Sequence, residues 1–318
     1  MPCAGTTSSY SFKYYILNDT VKKLKQGSKS AGNPLLCRGG TSETLRNEIV
    51  SSTENIKPIS VHNTKHLKPL NDEQFGHYLA GLIDGDGHFS TKQQLVIVFS
   101  SSDVSLAYYI KKRLVFGHVK KVKDKNAYIL VISNKEGLIK VINLINGKLR
   151  TDSKFNQVIN NILSHSSYVN LKENTLFKAN STKDLKNLWL AGFSDADASF
   201  QIKVLNKANR NKSEIRLNFQ IDQKNSDMLF LIKDFLGGNI GYRKSQDTYY
   251  YGSTSFGSAK NVIKYFDVFH LQSSKYVNYL KWRKAYILIQ NKDHLTEQGI
   301  KKIIQLKGTM NRLNKDTI

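Results

Sequence analysis

Apolar and polar positions along the chain fall into two successions of elements in the same order. Residues 79–87 are almost wholly apolar or small and read as a helix. Residues 87–101 carry a strand-like pattern, and 103–116 carry the 3.6-residue period of a helix. Short strands are predicted over 119–123 and 127–133, around the charged turn 123–126, and a further helix over 135–146. The order then recurs. After residues 190–198 come a strand over 198–205, a polar loop 206–212 and a strand over 213–222. A helix over 227–236, stopped by Gly237 and Gly238, strands over 239–244 and 248–253, and a helix over 257–265 complete the second half. Each half reads α-β-β-α-β-β-α, so the fold class is α+β, built from a tandem repeat. The predicted organisation is an N-terminal extension 1–70, a first domain 71–165, a linker 166–182 and a second domain 183–318. The extension lacks clear periodicity and is read as partly disordered or targeting. Further helices over 274–290 and 296–311 close the second domain.

The second hairpin alternates cleanly. Phe200, Ile202, Val204, Ile215, Leu217, Phe219 and Ile221 share one face. Ser199, Gln201, Lys203, Arg216, Asn218, Gln220 and Asp222 share the other. An arbitrary sheet would leave such a polar face to water. These side chains, however, are types that form paired hydrogen bonds to base edges, and a two-stranded ribbon fits the major groove. In the first half the corresponding face is weaker, with His88, Ser90, Lys92 and Gln93 as the candidates, joined by Ser100 and Ser101.

Composition decides between water and nucleic acid. The 318 residues carry a net charge of +23, which calls for a polyanionic partner. Nucleic acid is the first candidate and an anionic membrane surface the second. No apolar run approaches the roughly 18 residues of a spanning helix, and the basic-apolar stretches are too mixed to favour membrane docking, so no membrane role is expected. Two cysteines, Cys3 and Cys37, exclude a disulfide framework and a cysteine-rich zinc module. The abundance of Lys, Asn, Ile and Tyr fits an AT-rich organellar gene, and a mitochondrial location is expected. Lys120, Lys121, Lys123 and Lys125 in the first half, with Arg243 and Lys244 in the second, form an outer basic set suited to phosphate contact.

The chemistry sits in a repeated nonamer. Leu79-Ala-Gly-Leu-Ile-Asp-Gly-Asp-Gly87 and Leu190-Ala-Gly-Phe-Ser-Asp-Ala-Asp-Ala198 begin 111 residues apart. As helices they place Gly81 and Gly85, and likewise Gly192 and Ala196, on one face, where small residues let two backbones approach. These four positions are the expected domain interface. Asp86 and Asp197 then emerge together at two helix C-termini, where the dipoles make negative charge unfavourable. A divalent cation with oxygen ligands resolves that conflict: Mg²⁺ or Mn²⁺, with Ca²⁺ also able to bind. Asp84 and Asp195, two residues earlier, are expected to turn towards local backbone hydrogen bonds.

The two nonamers, a domain apart and each followed by the same α/β pattern, resemble the signature of LAGLIDADG homing endonucleases in their single-chain, two-motif form. The resemblance covers roughly residues 73–310. It implies pseudo-two-fold αββαββα units whose antiparallel sheets form a DNA-binding saddle, in a monomer. It implies a metal-dependent double-strand break in a long asymmetric site by phosphodiester hydrolysis, leaving 3′ overhangs and promoting intron mobility. By the same resemblance Asp86 and Asp197 ligate metal with the carbonyls of Gly85 and Ala196. A peripheral shell of Gln and Lys surrounds such sites. Gln223 and Lys275 supply it in the second half; in the first, Lys154 matches and Ser101 stands near the glutamine position. That mismatch predicts unequal cutting of the two strands. An RNA-splicing maturase, with intron RNA as partner, is the alternative, since some relatives perform that role. A DNA-binding regulator on the same fold is a third reading, disfavoured because both acids are intact.

Overall fold

The computed structural model describes residues 57–206 and 213–310. The extension up to residue 56, the loop beyond Asn206 and the last residues of the tail lie outside the described residues. Among the described residues no helix is long and apolar enough to cross a membrane.

The first half runs α1 (Asp72–Asp86), β1 (Gly87–Ser90), β2 (Gln94–Ser100), α2 (Val104–Leu114), β3 (His118–Lys121), β4 (Ala127–Ile132) and α3 (Lys135–Ile145). Then come α4 (Asp152–Gln157), a π-helical segment Val158–Leu163 and α5 (Val169–Asn174). The second half runs α6 (Trp189–Asp197), β5 (Ala198–Asn206), β6 (Ser213–Gln223), α7 (Asp227–Leu236), β7 (Asn239–Arg243), β8 (Thr248–Gly252) and α8 (Phe256–Phe266), followed by α9 (Lys275–Gln290) and α10 (Glu297–Thr309). Both sheets are four-stranded and antiparallel, in the orders β1-β2-β4-β3 and β5-β6-β8-β7. The predicted α-β-β-α-β-β-α order holds in each half. The stretch 87–101 proves to be two strands, because Thr91, Lys92 and Gln93 turn the chain and Gln93 sits at φ 53°.

Alternation gives each sheet one buried face. Phe89, Leu95, Ile97, Phe99, Leu130 and Ile132 fill the first half's core; Phe200, Ile202, Leu217, Phe219, Ile221 and Tyr251 fill the second's. α1 starts at Asn71, whose side chain accepts from the Gln74 N–H at 2.9 Å, while Gln74 accepts from the Leu70 N–H. This reciprocal pair is close to a capping box and fixes the entry of the central helix.

The linker is not loose. Phe177 is buried and stacks on Phe155, and Arg150 donates to the Thr182 and Asp184 carbonyls. Gln157 and Asn161 satisfy the edge of β1: Gln157 accepts from the Phe89 N–H, and Asn161 donates to the Phe89 carbonyl. The expected extension is also shorter than 1–70. Residues 58–70 form a strap fastened to the second half, with fully buried Arg283 donating to the Ser60 and His62 carbonyls and to Asp267. His66 bonds the Leu271 carbonyl, and Gln272 donates to that of Leu67. A helix-and-strand period cannot reveal this strap, because it is neither.

Candidate active site and nucleic-acid interface

α1 and α6 cross at the point the nonamer glycines allow. A Cβ on Gly81 would run into the Trp189 carbonyl, and one on Gly192 into that of Tyr78. A Cβ on Gly85 would strike the Ala196 methyl and reach the Asp197 carboxylate at 3.0 Å. All four expected interface positions therefore meet, and helix backbones touch where side chains would hold them apart.

The first acid of each nonamer is buried, and its partners are not the local ones expected. Asp84 accepts from the Arg150 N–H at 2.8 Å, from Thr151 N–H and Oγ1, and from Trp189 Nε1 at 2.7 Å. Asp195 accepts from the Gln272 N–H at 2.7 Å, from Ser273 N–H and Oγ, and from the Tyr78 hydroxyl at 2.8 Å. Each carboxylate anchors a loop of its own half and takes one donor from the opposite helix. Burial raises Asp84 to about 6 and Asp195 above its usual range, while these bonds pull both back. A carboxylate near a helix C-terminus finds no free N–H close by in sequence, because the helix's own carbonyls use them. Its partners must come from distant segments, which the sequence around it does not reveal. Tyr78 and Trp189 were missed for that reason, although extending the repeat by one residue would have flagged an aromatic donor in both copies.

The second acids converge. Asp86 opens to solvent at the end of α1, yet desolvation by the surrounding protein raises it; Lys275 and Lys154 act against that shift. Asp197 is half-buried, and burial followed by the nearby Asp86 charge pushes it up to about 6. Gln223 Nε2 donates to Asp197 Oδ2 at 2.6 Å. Lys275 Nζ donates to the Ala196 carbonyl at 2.6 Å and to that of Ser194 at 3.2 Å. Burial lowers Lys275, opposed by the charges of Asp195, Asp197, Asp86 and Asp103. Asp86, Ser100, Asp103, Ala196, Ser273 and Lys275 line a cavity of about 170 Å³. Asp103, not singled out by sequence, accepts from Ser100 Oγ and from the Ser274 N–H, next to Lys275. Ser100 is thereby engaged within the protein.

The supporting shells are unequal in a way the residue pattern obscured. Gly87 pairs with Ile97, and Ala198 with Ile221, so Ile97 and Ile221 correspond. The counterpart of Gln223 is then Phe99, which is buried, and not Ser101. Ser101 lies two residues beyond, in a 3₁₀ turn with its N–H on the Asn126 carbonyl. The two lysines are also offset. Lys275 follows the Asp195-binding Ser273 by two residues; Lys154 follows the Asp84-binding Thr151 by three.

On the outer faces, Ser199, Gln201, Lys203, Arg216, Asn218 and Gln220 share one side of the second sheet, as expected. Asn218 and Gln220 are nonetheless buried. Asn218 donates to Gln220, Gln220 to Asp222, and Arg243 to Asp222, with the Arg243 guanidinium over Tyr250. In the first half His88 and Lys120 are exposed on the outer face and Ser90 is half-buried there. Gln93 turns back to the Thr91 and Asn161 carbonyls. Lys121 pairs with Tyr128 and so lies on the opposite side from Lys120. Lys92, Lys123, Lys125 and Lys244 are exposed in turns.

Two four-stranded sheets, with a crossed helix pair between the halves that ends in two converging carboxylates, define a scaffold with internal two-fold repetition. The LAGLIDADG endonuclease profile matches residues 79–163 and 190–286, and the chain belongs to that family. An uncharacterised protein of cox1 intron 2 from Schizosaccharomyces pombe is 60% identical, over 94% of each chain. The intron-encoded DNA endonuclease aI3 of Saccharomyces cerevisiae is 30% identical, over 73% of this chain and 68% of its own length. The I-LtrWI LAGLIDADG homing endonuclease bound to target DNA superposes with a TM-score of 0.60 at 24% identity, over 76% of this chain and 99% of that one.

Proposed function

We propose that this chain is a site-specific homing endonuclease, encoded in a mitochondrial intron, that breaks both strands of a long asymmetric duplex and so promotes the mobility of its intron. The observation that carries the reading is the convergence of Asp86 and Asp197 from two halves at one helix crossing. Two carboxylates held together, one pushed up to about 6 by burial and by the other, form a site that a cation stabilises.

The donor set fits a hard divalent ion. The ligands proposed are two carboxylates plus backbone carbonyls, with water and DNA phosphate completing the set. Asp86, Asp197 and the Gly85 and Ala196 carbonyls would hold Mg²⁺ or Mn²⁺. The Ala196 oxygen keeps a second lone pair beside Lys275. Such an ion, when bound, activates water and stabilises the leaving oxygen of a phosphodiester. The protein's own groups do the positioning. Gln223 fixes the Asp197 carboxylate, and Lys275 places positive charge where a cleaved phosphate gathers negative charge. Hydrolysis joins a water oxygen to phosphorus and releases one ester oxygen with its strand, and cuts staggered across the minor groove leave 3′ overhangs. Lys92, Lys120, Lys123, Lys203, Arg216, Arg243 and Lys244 contact phosphates or bases along the sheets.

The test uses a duplex carrying the joined exons that flank the gene. Asp86→Asn and Asp197→Asn should each keep specific binding and lose cleavage by more than about 100-fold. Full cleavage by both variants overturns the mechanism. Rescue of intron splicing by the double variant, with no cleavage by the parent, favours a maturase.

A further inference from the structure

The two outer sheet faces present different chemistry at matching positions. With Ile97 matched to Ile221, Val96 stands where Gln220 does and Val98 where Asp222 does. Leu130, opposite Ile97, matches Tyr251, opposite Ile221; Ile129 and Val131 therefore match Tyr250 and Gly252. Val96 pairs with Val131, and Val98 with Ile129, in two adjacent rows. Val98 is 48% exposed, and the other three are half-buried, on the face where alternation calls for polar residues. Exposed His88, His118 and Lys120 flank the patch in the same rows.

Resting on the DNA-binding reading of the saddle, we infer that the first half reads thymine methyl groups through Val96, Val98, Ile129 and Val131. The occupant is a thymine-bearing half-site of duplex DNA. In the major groove the thymine C5 methyl is the one methyl group that an unmodified base edge presents, and apolar side chains recognise it. The flanking Lys120 and the net charge of +23 hold the phosphates that bring those methyls onto the patch. The second half, with its chain from Arg243 through Asp222 and Gln220 to Asn218, reads by hydrogen bonds instead. The two half-sites are therefore recognised by different physics, and the thymine-rich one fixes the orientation of the enzyme on its target.

A randomised duplex library is selected for binding to the full chain without divalent metal. The enriched duplexes are rebuilt with deoxyuridine for thymidine in one half at a time, which removes only the methyl. Binding should weaken about fourfold per methyl lost in the half held by the first sheet, and hardly at all in the other. Val96→Ala with Val131→Ala should abolish that penalty, which assigns the half whatever the variant's own affinity. Equal tolerance of deoxyuridine in both halves, with tight binding retained, overturns thymine readout and leaves DNA recognition intact. Enrichment of no duplex, or preference for single-stranded RNA, overturns the DNA reading and the inference with it.

Discussion

The two halves share a strand order and differ in what each strand carries. β1 and β2 have 4 and 7 residues; β5 and β6 have 9 and 11. At 3.3 Å per residue the second ribbon reaches about 15 Å further along a ligand. Its outer face is a hydrogen-bonded chain of amides, an acid and an arginine, where the first face is a valine and isoleucine patch. Near the carboxylates the same inequality returns: Gln223 holds Asp197, while its counterpart Phe99 serves the core. The helix crossing, by contrast, is nearly symmetric. Symmetry is strict where the halves touch each other, because both must fit one interface. It is relaxed where they face a partner that need not be symmetric.

The largest test of that contrast lies in the lysines. Lys275→Met should lower cleavage about 100-fold, since it removes the ammonium on the Ala196 carbonyl. Lys154→Met should cost about 10-fold, because Lys154 acts on the carboxylates by charge alone. Equal losses in single-turnover assays would break the asymmetry. The crossing should behave in the opposite way. Tyr78→Phe and Trp189→Phe each remove one donor from a buried carboxylate, and each should cost about 2 kcal/mol in denaturant unfolding. A cost confined to one of them would show the interface to be lopsided. Gln223→Ala should slow nicking of one strand about 10-fold more than the other, read by labelling each strand separately. The smallest effect concerns the helix ends. α7 stops at Gly237, with φ 74°, whereas α2 stops at Val115, a β-branched residue at φ 72°. Val115→Gly should stabilise the fold by about 1 kcal/mol, seen as a raised melting temperature, while Gly237→Val should destabilise it.

Much of this was legible in the residues. The nonamers pointed to the crossing and its glycines, and period and turn residues gave the succession of helices and strands along both halves. What escaped depends on distance in sequence. The partners of Asp84 and Asp195 lie 66 to 105 and 77 to 117 residues away. The register that makes Phe99 the counterpart of Gln223 emerges only when strands are paired. The patch of Val96 and Val131 brings together residues that, read singly, belong to unremarkable strands. The strap 58–70 carries no period at all, and Arg283, whose buried guanidinium the strap's carbonyls satisfy, reads in sequence as one more basic residue of a helix.

The exchange of donors between Tyr78 and Asp195, and between Trp189 and Asp84, limits how this protein can be taken apart. The sheets are separate: each pairs its four strands within its own half. The helices are not, because a half moved into a different chain would carry its buried acid away from the aromatic that completes it. Strands can be exchanged within one half, whereas a graft that includes a nonamer must bring along the residue preceding the nonamer of the other half.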